Sequence, residues 1–437
     1  MKGLKFILES FIMNNRKRKN VSYVEGGFKM LLEFTFKNLF SYKNESYFSM
    51  EAGKGTSIMN EFPKVNKHRI LKSAIVFGPN ASGKSNLIQA MNFMGGMISR
   101  FSWNNLPFPS FAGAKDEPIT LSATILKEAF IYRYTFSYFS EEIVSEKLEI
   151  KSEDGFEIYF DRQDDKYLVI PDDLIMLIDK TPKDFLFLEV AKTFNDAHSF
   201  NVVQWFAQDL LYLDTNISRY HSSTKDFEAL KDEEYKNAVL KFMQAADVNI
   251  EDILLIEETV KNIRGEELEI LGEQPVVTRI RLRLKHRQYA KDGKRLPDFT
   301  LDFSQESEGT RKLLYLASII LTNKNRTILI DEFDKSLHFE LSQALLELFN
   351  SPENNNQFIL TTHQLGLMDC NFKKEQIYFV ERKYDGISDL YSAYDFSVKT
   401  NRNDYFYIKR YREGRFGATP IILLDTLKET LKEVGEL

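Results

Sequence analysis

The sequence predicts an α/β fold in which a mixed sheet with flanking helices carries an antiparallel β subdomain and a helical insertion. Three observations lead there. The stretch "IVFGPNASGKSNLIQAMNFM" (Ile75–Met94) begins as a β-branched run, tightens into glycine and small polar residues, and resumes with helical spacing. "LLEFTFKNLFSYKNESYFSME" alternates apolar and polar residues about a turn at Tyr42–Glu45, as an antiparallel hairpin does. After Ser304 the chain alternates amphipathic helices with short apolar strands to its end.

Taken in order, the first segment, "MKGLKFILESFIMNNRKRKN", has a basic start and an apolar stretch. Glu9 interrupts that stretch and no small-residue cleavage site follows, so it does not read as a secretion signal. "VEGGFKM" can be encoded with a purine-rich tract just before the Met30 codon, as a bacterial ribosome-binding site would be. Residues 1–29 are therefore expected to be a leader with little tertiary contact, a genuine basic arm being the other reading. Thr120–Ile125, Phe130–Phe139, Leu148–Lys151 and Glu157–Asp161 continue the strand pattern, and residues 30–165 are expected to form the first half of a domain. From about Pro171 to about Thr259 the period becomes helical in "KDFLFLEVAKTF", "NVVQWFAQDLLYL" and "DEEYKNAVLKFMQAA", giving a mainly helical insertion over 166–275. Strands return with "VVTRIRLRLKH" at Val276–His286, and 276–437 is expected to complete the domain.

The glycine turn has the order G-x-x-x-x-G-K-[ST]. Gly78 and Gly83 bracket Pro79, Asn80, Ala81 and Ser82, so backbone N–H groups can curl around phosphates at a helix N-terminus. Lys84 would reach the β- and γ-phosphates, Ser85 would offer its hydroxyl to Mg²⁺, and Asn86 joins the nucleotide-binding set. The bland alternative is a solvent-exposed glycine turn before a helix. A second strand, "RTILIDEFD", discharges Asp331 and Glu332 at its carboxyl end. Asp331 is expected to hold Mg²⁺, usually through water, and Glu332 to orient or deprotonate the attacking water. A third strand, "NQFILTTHQLGLMD", ends at His363, placed to donate to a γ-phosphate, although a lone histidine can be incidental. In "SQESEGTRKLLYLASIIL", Ser307, Glu308, Gly309 and Thr310 open an amphipathic helix, as an anion site or as a plain N-cap.

These four pieces, in this order, resemble the ATPase heads of the ABC/SMC/RecF class. Within it, "GPNASGKSNLIQAM", "SEGTRKLLYL", "DEFDKSLHFEL", "TTHQLGLMD" and the tail "YREGRFGATP" are most similar to bacterial stand-alone AAA-type ATPases of abortive-infection and related phage-defence operons. The likeness implies a P-loop NTPase fold of ABC-ATPase-head type, with ATP and Mg²⁺ as cofactors. It also implies that Ser307 and Gly309 complete the site of a second subunit, giving a homodimer or larger homo-oligomer around sandwiched ATP. Asp334 and His338 match the segment that lines such an interface, an ordinary helix histidine being the alternative for His338. Glu308 departs from the wider pattern, which has glycine there.

Composition limits the partners. At 437 residues, with 43% hydrophobic and 28% charged side chains, the balance is that of an ordinary globular chain. A net charge of −6 argues against coating nucleic acid by charge alone. Arg279, Arg281, Arg283, Lys285 and Arg287 share one strand face, which suits either a nucleic-acid phosphate track or a solvated, edge-protecting face. Cys370 is the one cysteine and no apolar run reaches membrane length, so a cytoplasmic protein with no membrane partner is expected. The tail places Arg415 and Phe416 beside Arg410, Arg412 and Tyr411, as a partner contact or a packed turn. Glu381 in "FVERKYDG" resembles the opening of the metal nuclease that some relatives append. No Asp-x-Asp follows it, so an effector is expected on another polypeptide. The reading is an ATP-hydrolysing switch in phage defence; the alternatives are a RecF-type repair ATPase binding duplex DNA and a non-catalytic, ATP-held scaffold.

Overall fold

A computed structural model of the chain describes residues 27–53, 60–62, 68–99, 106–213, 228–246, 248–261, 276–370, 372–396, 407–419 and 424–435. Apart from 27–29, the expected leader lies outside them. Lys29 begins strand β1 (Lys29–Lys37), pairs opposite Lys127, and sets its ammonium 3.1 Å from Asp209, so the ordered fold already includes it.

Alternating apolar residues build a seven-stranded antiparallel sheet from β1, β2 (Ser46–Ser49), β4 (Ile119–Lys127), β5 (Phe130–Tyr138), β6 (Ile143–Lys151), β7 (Phe156–Gln163) and β8 (Lys166–Val169), in the order β2-β1-β4-β5-β6-β7-β8. A six-stranded mixed sheet holds the motifs. It is formed by β3 (Ser73–Phe77), β9 (Leu210–Leu213), β13 (Thr327–Ile330), β14 (Gln357–Thr361), β15 (Ile377–Arg382) and β16 (Ser388–Ser392), ordered β16-β15-β3-β14-β13-β9. Its neighbours run parallel except for the β15–β16 hairpin. β10 (Asp252–Lys261), β11 (Val276–Tyr289) and β12 (Arg295–Asp302) form a third, antiparallel sheet.

β3, β13 and β14 are buried on both faces, which is why they read as continuous apolar runs and do not alternate. Ala74 and Val76 face a core shared with the antiparallel sheet and helix α1 (Lys84–Ser99), while Ile75 and Phe77 face a second core beneath α6 (Phe339–Phe349). Gln357 joins the two large sheets. Its buried amide donates to the carbonyls of Leu31 and Leu71 and accepts from the Leu31 amide at 2.9 Å, next to a register shift in the β1–β4 ladder.

The middle of the chain holds α2 (Phe187–Thr193), α3 (Ala197–Gln204), and α4 (Glu233–Ala245), the last two capped by Asp196 and Asp232. It departs from the expected helical run at two places. "NVVQWFAQDLLYL" leaves the helix through a π-helical turn at Trp205–Asp209, and Leu210–Leu213 becomes β9, parallel to β13. A four-residue apolar run cannot be told from a buried helix segment by period alone, and pairing decides it. Likewise the helical pattern ends at Ala245, and Asp252–Lys261 is strand β10. The π-helical turn is tied to the antiparallel sheet by a buried ion pair, Lys127 Nζ to Asp209 at 2.6 Å. The other α-helices among the described residues are α5 (Glu308–Thr322), α7 (Tyr407–Arg412) and α8 (Leu424–Gly435). Among the described residues no helix is long and apolar enough to cross a membrane.

Candidate functional site

The glycine turn lies between β3 and α1. A Cβ at Gly78 would strike the Val380 carbonyl, and one at Gly83, whose φ is +118°, would lie 2.6 Å from Ser388 Oγ. Lys84 is buried and donates to the carbonyls of Gly78 and Pro79, both at 2.8 Å. Burial pushes its ammonium down to about 8, against the pull of Asp331, Glu332 and Asp334. Ser82 Oγ is buried with no hydrogen-bond partner.

Sequence reading missed what holds this loop from outside. Ser388 Oγ donates to the Ser82 carbonyl at 2.6 Å and lies 2.7 Å from Ser41 Oγ, and the Tyr42 hydroxyl donates to the Gly83 carbonyl at 3.0 Å. Asn86, expected to bind nucleotide, turns its amide to Ser41 at 2.8 Å and braces α1.

Asp331 and Glu332 follow β13, and Thr361, Thr362 and His363 close the neighbouring β14. Thr361 Oγ1 donates to Asp331 Oδ1 at 2.5 Å and accepts from the Glu332 amide at 2.7 Å. Glu332 has a φ of +48°, and one of its carboxylate oxygens lies 3.6 Å from His363 Nε2. Both side chains are partly exposed. The structure thus brings together Lys84, Asp331, Glu332 and His363 at the carboxyl ends of three adjacent parallel strands and the turn after one of them, where α/β sheets bind ligands. The orphaned Ser82 hydroxyl and the Lys84 ammonium fit a phosphate chain. The hard oxygen donors of Ser85 and Asp331 suit Mg²⁺.

Ser307 caps α5, accepting from the Thr310 amide at 3.1 Å, and is exposed, with Glu308 in the first turn of the helix, which is the geometry of the N-cap reading. Gly309 lies against the loop after the acidic pair, since a Cβ there would be 2.6 Å from the Ser336 carbonyl. His338 is exposed at the start of α6, whereas Asp334 is buried. Phe416 needs correction. It is not an exposed anchor: its ring is buried and stacks on Phe379 with centroids 4.9 Å apart, because the turn at Gly414 and Gly417 folds it back into the core. Arg415 is exposed and pairs with Glu413 at 2.8 Å.

The basic stripe lies on β11, the middle strand of its sheet, so it protects no edge. Arg281 meets Glu258 and Asp302, Arg283 meets Asp302 at 2.7 Å, Lys285 meets Asp298 at 3.3 Å, and Arg287 meets Glu251. Acids on and beside the flanking strands neutralise it. The side chain of Arg279 lies outside the described residues.

Residues 73–369 match the family described as "AAA domain, putative AbiEii toxin, Type IV TA system". The chain belongs to this family. Solved structures similar to this AAA-domain chain include a "Crystal structure of the SmcHead bound to the C-winged helix domain of ScpA" (15% identity, TM-score 0.44, 84% of this chain and 98% of that one). Others are an Smc head with an extended coiled coil from Pyrococcus furiosus, bound to the C-terminal domain of ScpA (14%, 0.43, 83% and 96%), and the SMC head domain from Thermotoga maritima (15%, 0.35, 84% and 99%). A search of curated proteins finds no match. Family and the glycine turn between β3 and α1 together make this a P-loop AAA domain.

Proposed function

We propose that this ATPase domain hydrolyses ATP and uses the cycle as a switch in bacterial phage defence, controlling a separately encoded effector. The observation that carries the hydrolytic part is the shared Thr361 hydroxyl, which fixes Asp331 and Glu332 beside the P-loop. Lys84, already desolvated in the fold, exchanges the carbonyls of Gly78 and Pro79 for the β- and γ-phosphates. Ser85 and Asp331 would hold Mg²⁺, which would supply charge neutralisation at the phosphates. Glu332 takes the proton from the attacking water, and His363, beside it, donates toward the γ-phosphate.

The defence role takes its support from the family's description, with its AbiEii toxin and Type IV system. The assembly takes its support from Ser307, exposed at the N-terminus of a fifteen-residue helix where a second copy's nucleotide can reach it. Residues 30–165 and 276–437 are proposed as two halves of one head, since β3 of the first pairs with β14 and β15 of the second. The 166–275 insertion contributes β9 to the same sheet.

The test is a pair of variants read by nucleotide affinity, phosphate release and plaque counts. Lys84→Ala is expected to lose tight ATP binding and protection, while Glu332→Gln binds ATP but releases phosphate at least about 10²-fold more slowly. Undiminished ATP affinity in Lys84→Ala removes the P-loop assignment. Protection that persists when the neighbouring operon genes are deleted removes the separate effector.

A further inference from the structure

Lys312 is a buried cation on the second turn of α5, the helix that begins with Ser307. Its ammonium donates to the main-chain carbonyls of Glu332 at 2.7 Å and Lys335 at 3.0 Å. One turn earlier, Gly309 approaches the Ser336 carbonyl so closely that no Cβ fits between them. The loop gripped at these two points contains two residues with positive φ, Glu332 at +48° and Ser336 at +63°. Neither is glycine, so surrounding contacts must hold the conformation. The backbone of Glu332 is held at both ends, its N–H by Thr361 Oγ1 and its C=O by Lys312 and by the Lys335 amide at 3.0 Å. Burial drives the lysine down to about 8, although Asp334, Glu308 and Glu332 pull the other way. An apolar side chain would fill this space without that desolvation cost.

We infer that Lys312 is a positioning residue for Glu332, fixing the bend that aims the carboxylate at the attacking water. Its ammonium bonds to main-chain carbonyls, so it acts through the main chain of the general base. The inference rests on the proposed role of Glu332, and the experiment separates the two. Phosphate release and ATP affinity are measured for Lys312→Met, Glu332→Gln and the double variant, with Lys312→Gln, which keeps one donor, as the second probe should Lys312→Met not fold.

The expected result is a kcat lowered about 10- to 100-fold in Lys312→Met, with ATP affinity within about threefold of the wild type and smaller loss in Lys312→Gln. Adding Lys312→Met to Glu332→Gln should cost no further rate, because a residue acting through Glu332 has nothing left to position. A merely structural lysine would lower stability and leave the kcat of the folded fraction unchanged, or its loss would multiply with that of Glu332→Gln; either result overturns the inference. If Lys312→Met does not fold, full kcat in folded Lys312→Gln, or a loss that multiplies with that of Glu332→Gln, overturns it. If Glu332→Gln itself hydrolyses at the wild-type rate, the reading of Glu332 as base fails first.

Discussion

The Thr361 hydroxyl lies 2.5 Å from an Asp331 carboxylate oxygen and 2.7 Å from the Glu332 amide nitrogen. A hydroxyl has one proton, so it donates to the carboxylate and accepts from the amide, and one side chain on β14 orders both acids after β13. Thr361→Val keeps the shape and loses both bonds. It should destabilise the fold by about 1–3 kcal/mol and slow phosphate release about tenfold, with ATP binding retained. Thr361→Ser should restore most of the rate. Equal rates for Thr361→Val and the wild type would show that the acids hold their places unaided.

Phe416 stacks on Phe379, meets Phe396 edge-on at 5.2 Å, and has its carbonyl bound by the Tyr391 hydroxyl at 2.6 Å. Its truncation opens a cavity, so Phe416→Ala should cost about 3–5 kcal/mol in a urea titration, whereas exposed Arg415→Ala should change stability by less than about 0.5 kcal/mol. A Phe416→Ala protein as stable as the wild type but altered in oligomer size would return this residue to an interface.

Lys72 is buried, donates to the carbonyls of Ser351 and Asn354, and is lowered by burial from 10.5 to about 8. Below pH 8 the lysine is charged in both folded and unfolded chains and the desolvation penalty is constant. Between 8 and 10.5 the unfolded chain binds more protons, so the penalty is relieved as pH rises. Relative to Lys72→Met, the wild type should gain stability from pH 8 to 10, by up to about 1.4 kcal/mol per pH unit. A flat difference across that range would mean that Lys72 keeps its ordinary proton affinity in the fold.

The P-loop is legible in the sequence because its motif encodes a backbone shape, with glycines where Val380 and Ser388 leave no room for a Cβ. β13 and β14 are legible because strands buried on both faces have continuous apolar centres and end abruptly in acids or Thr-Thr-His. What was not legible depends on pairing between distant segments. Leu210–Leu213 is a strand only because β13 lies beside it, and Ser41 and Ser388 are ordinary serines until the fold brings their hydroxyls within 2.7 Å. Nothing in the sequence sets Lys312 apart from the other polar positions of its helix, and its burial comes from the loop packed over it.

The β11 stripe shows the same effect with charge. Its arginines are evident in sequence, but Asp302, which accepts from both Arg281 and Arg283, lies on β12. A neutralised stripe should hold duplex DNA weakly, with a shallow dependence on salt. Arg281→Glu with Arg283→Glu should lower stability in a urea titration, through like charges beside Glu258 and Asp302. DNA binding that weakens steeply with salt and vanishes in this variant would restore the phosphate-track reading.

Glu332→Gln offers the sharpest test of assembly. The amide keeps the side chain's shape and leaves Ser85 and Asp331 unchanged, so nucleotide binding should survive; it cannot accept a proton from water, so ATP should persist. If the exposed N-terminus of α5 completes a second copy's site, the trapped nucleotide should hold two chains together. Light scattering with ATP and Mg²⁺ should then show a dimer or larger species that disperses when nucleotide is removed. Ser307→Arg, made in the same background, places a bulky side chain where the trans phosphate would sit and removes the cap of α5, so the assembly should dissolve while ATP affinity per chain changes little. A Glu332→Gln protein that stays monomeric with ATP bound would sink the sandwich and leave a switch that works within one subunit.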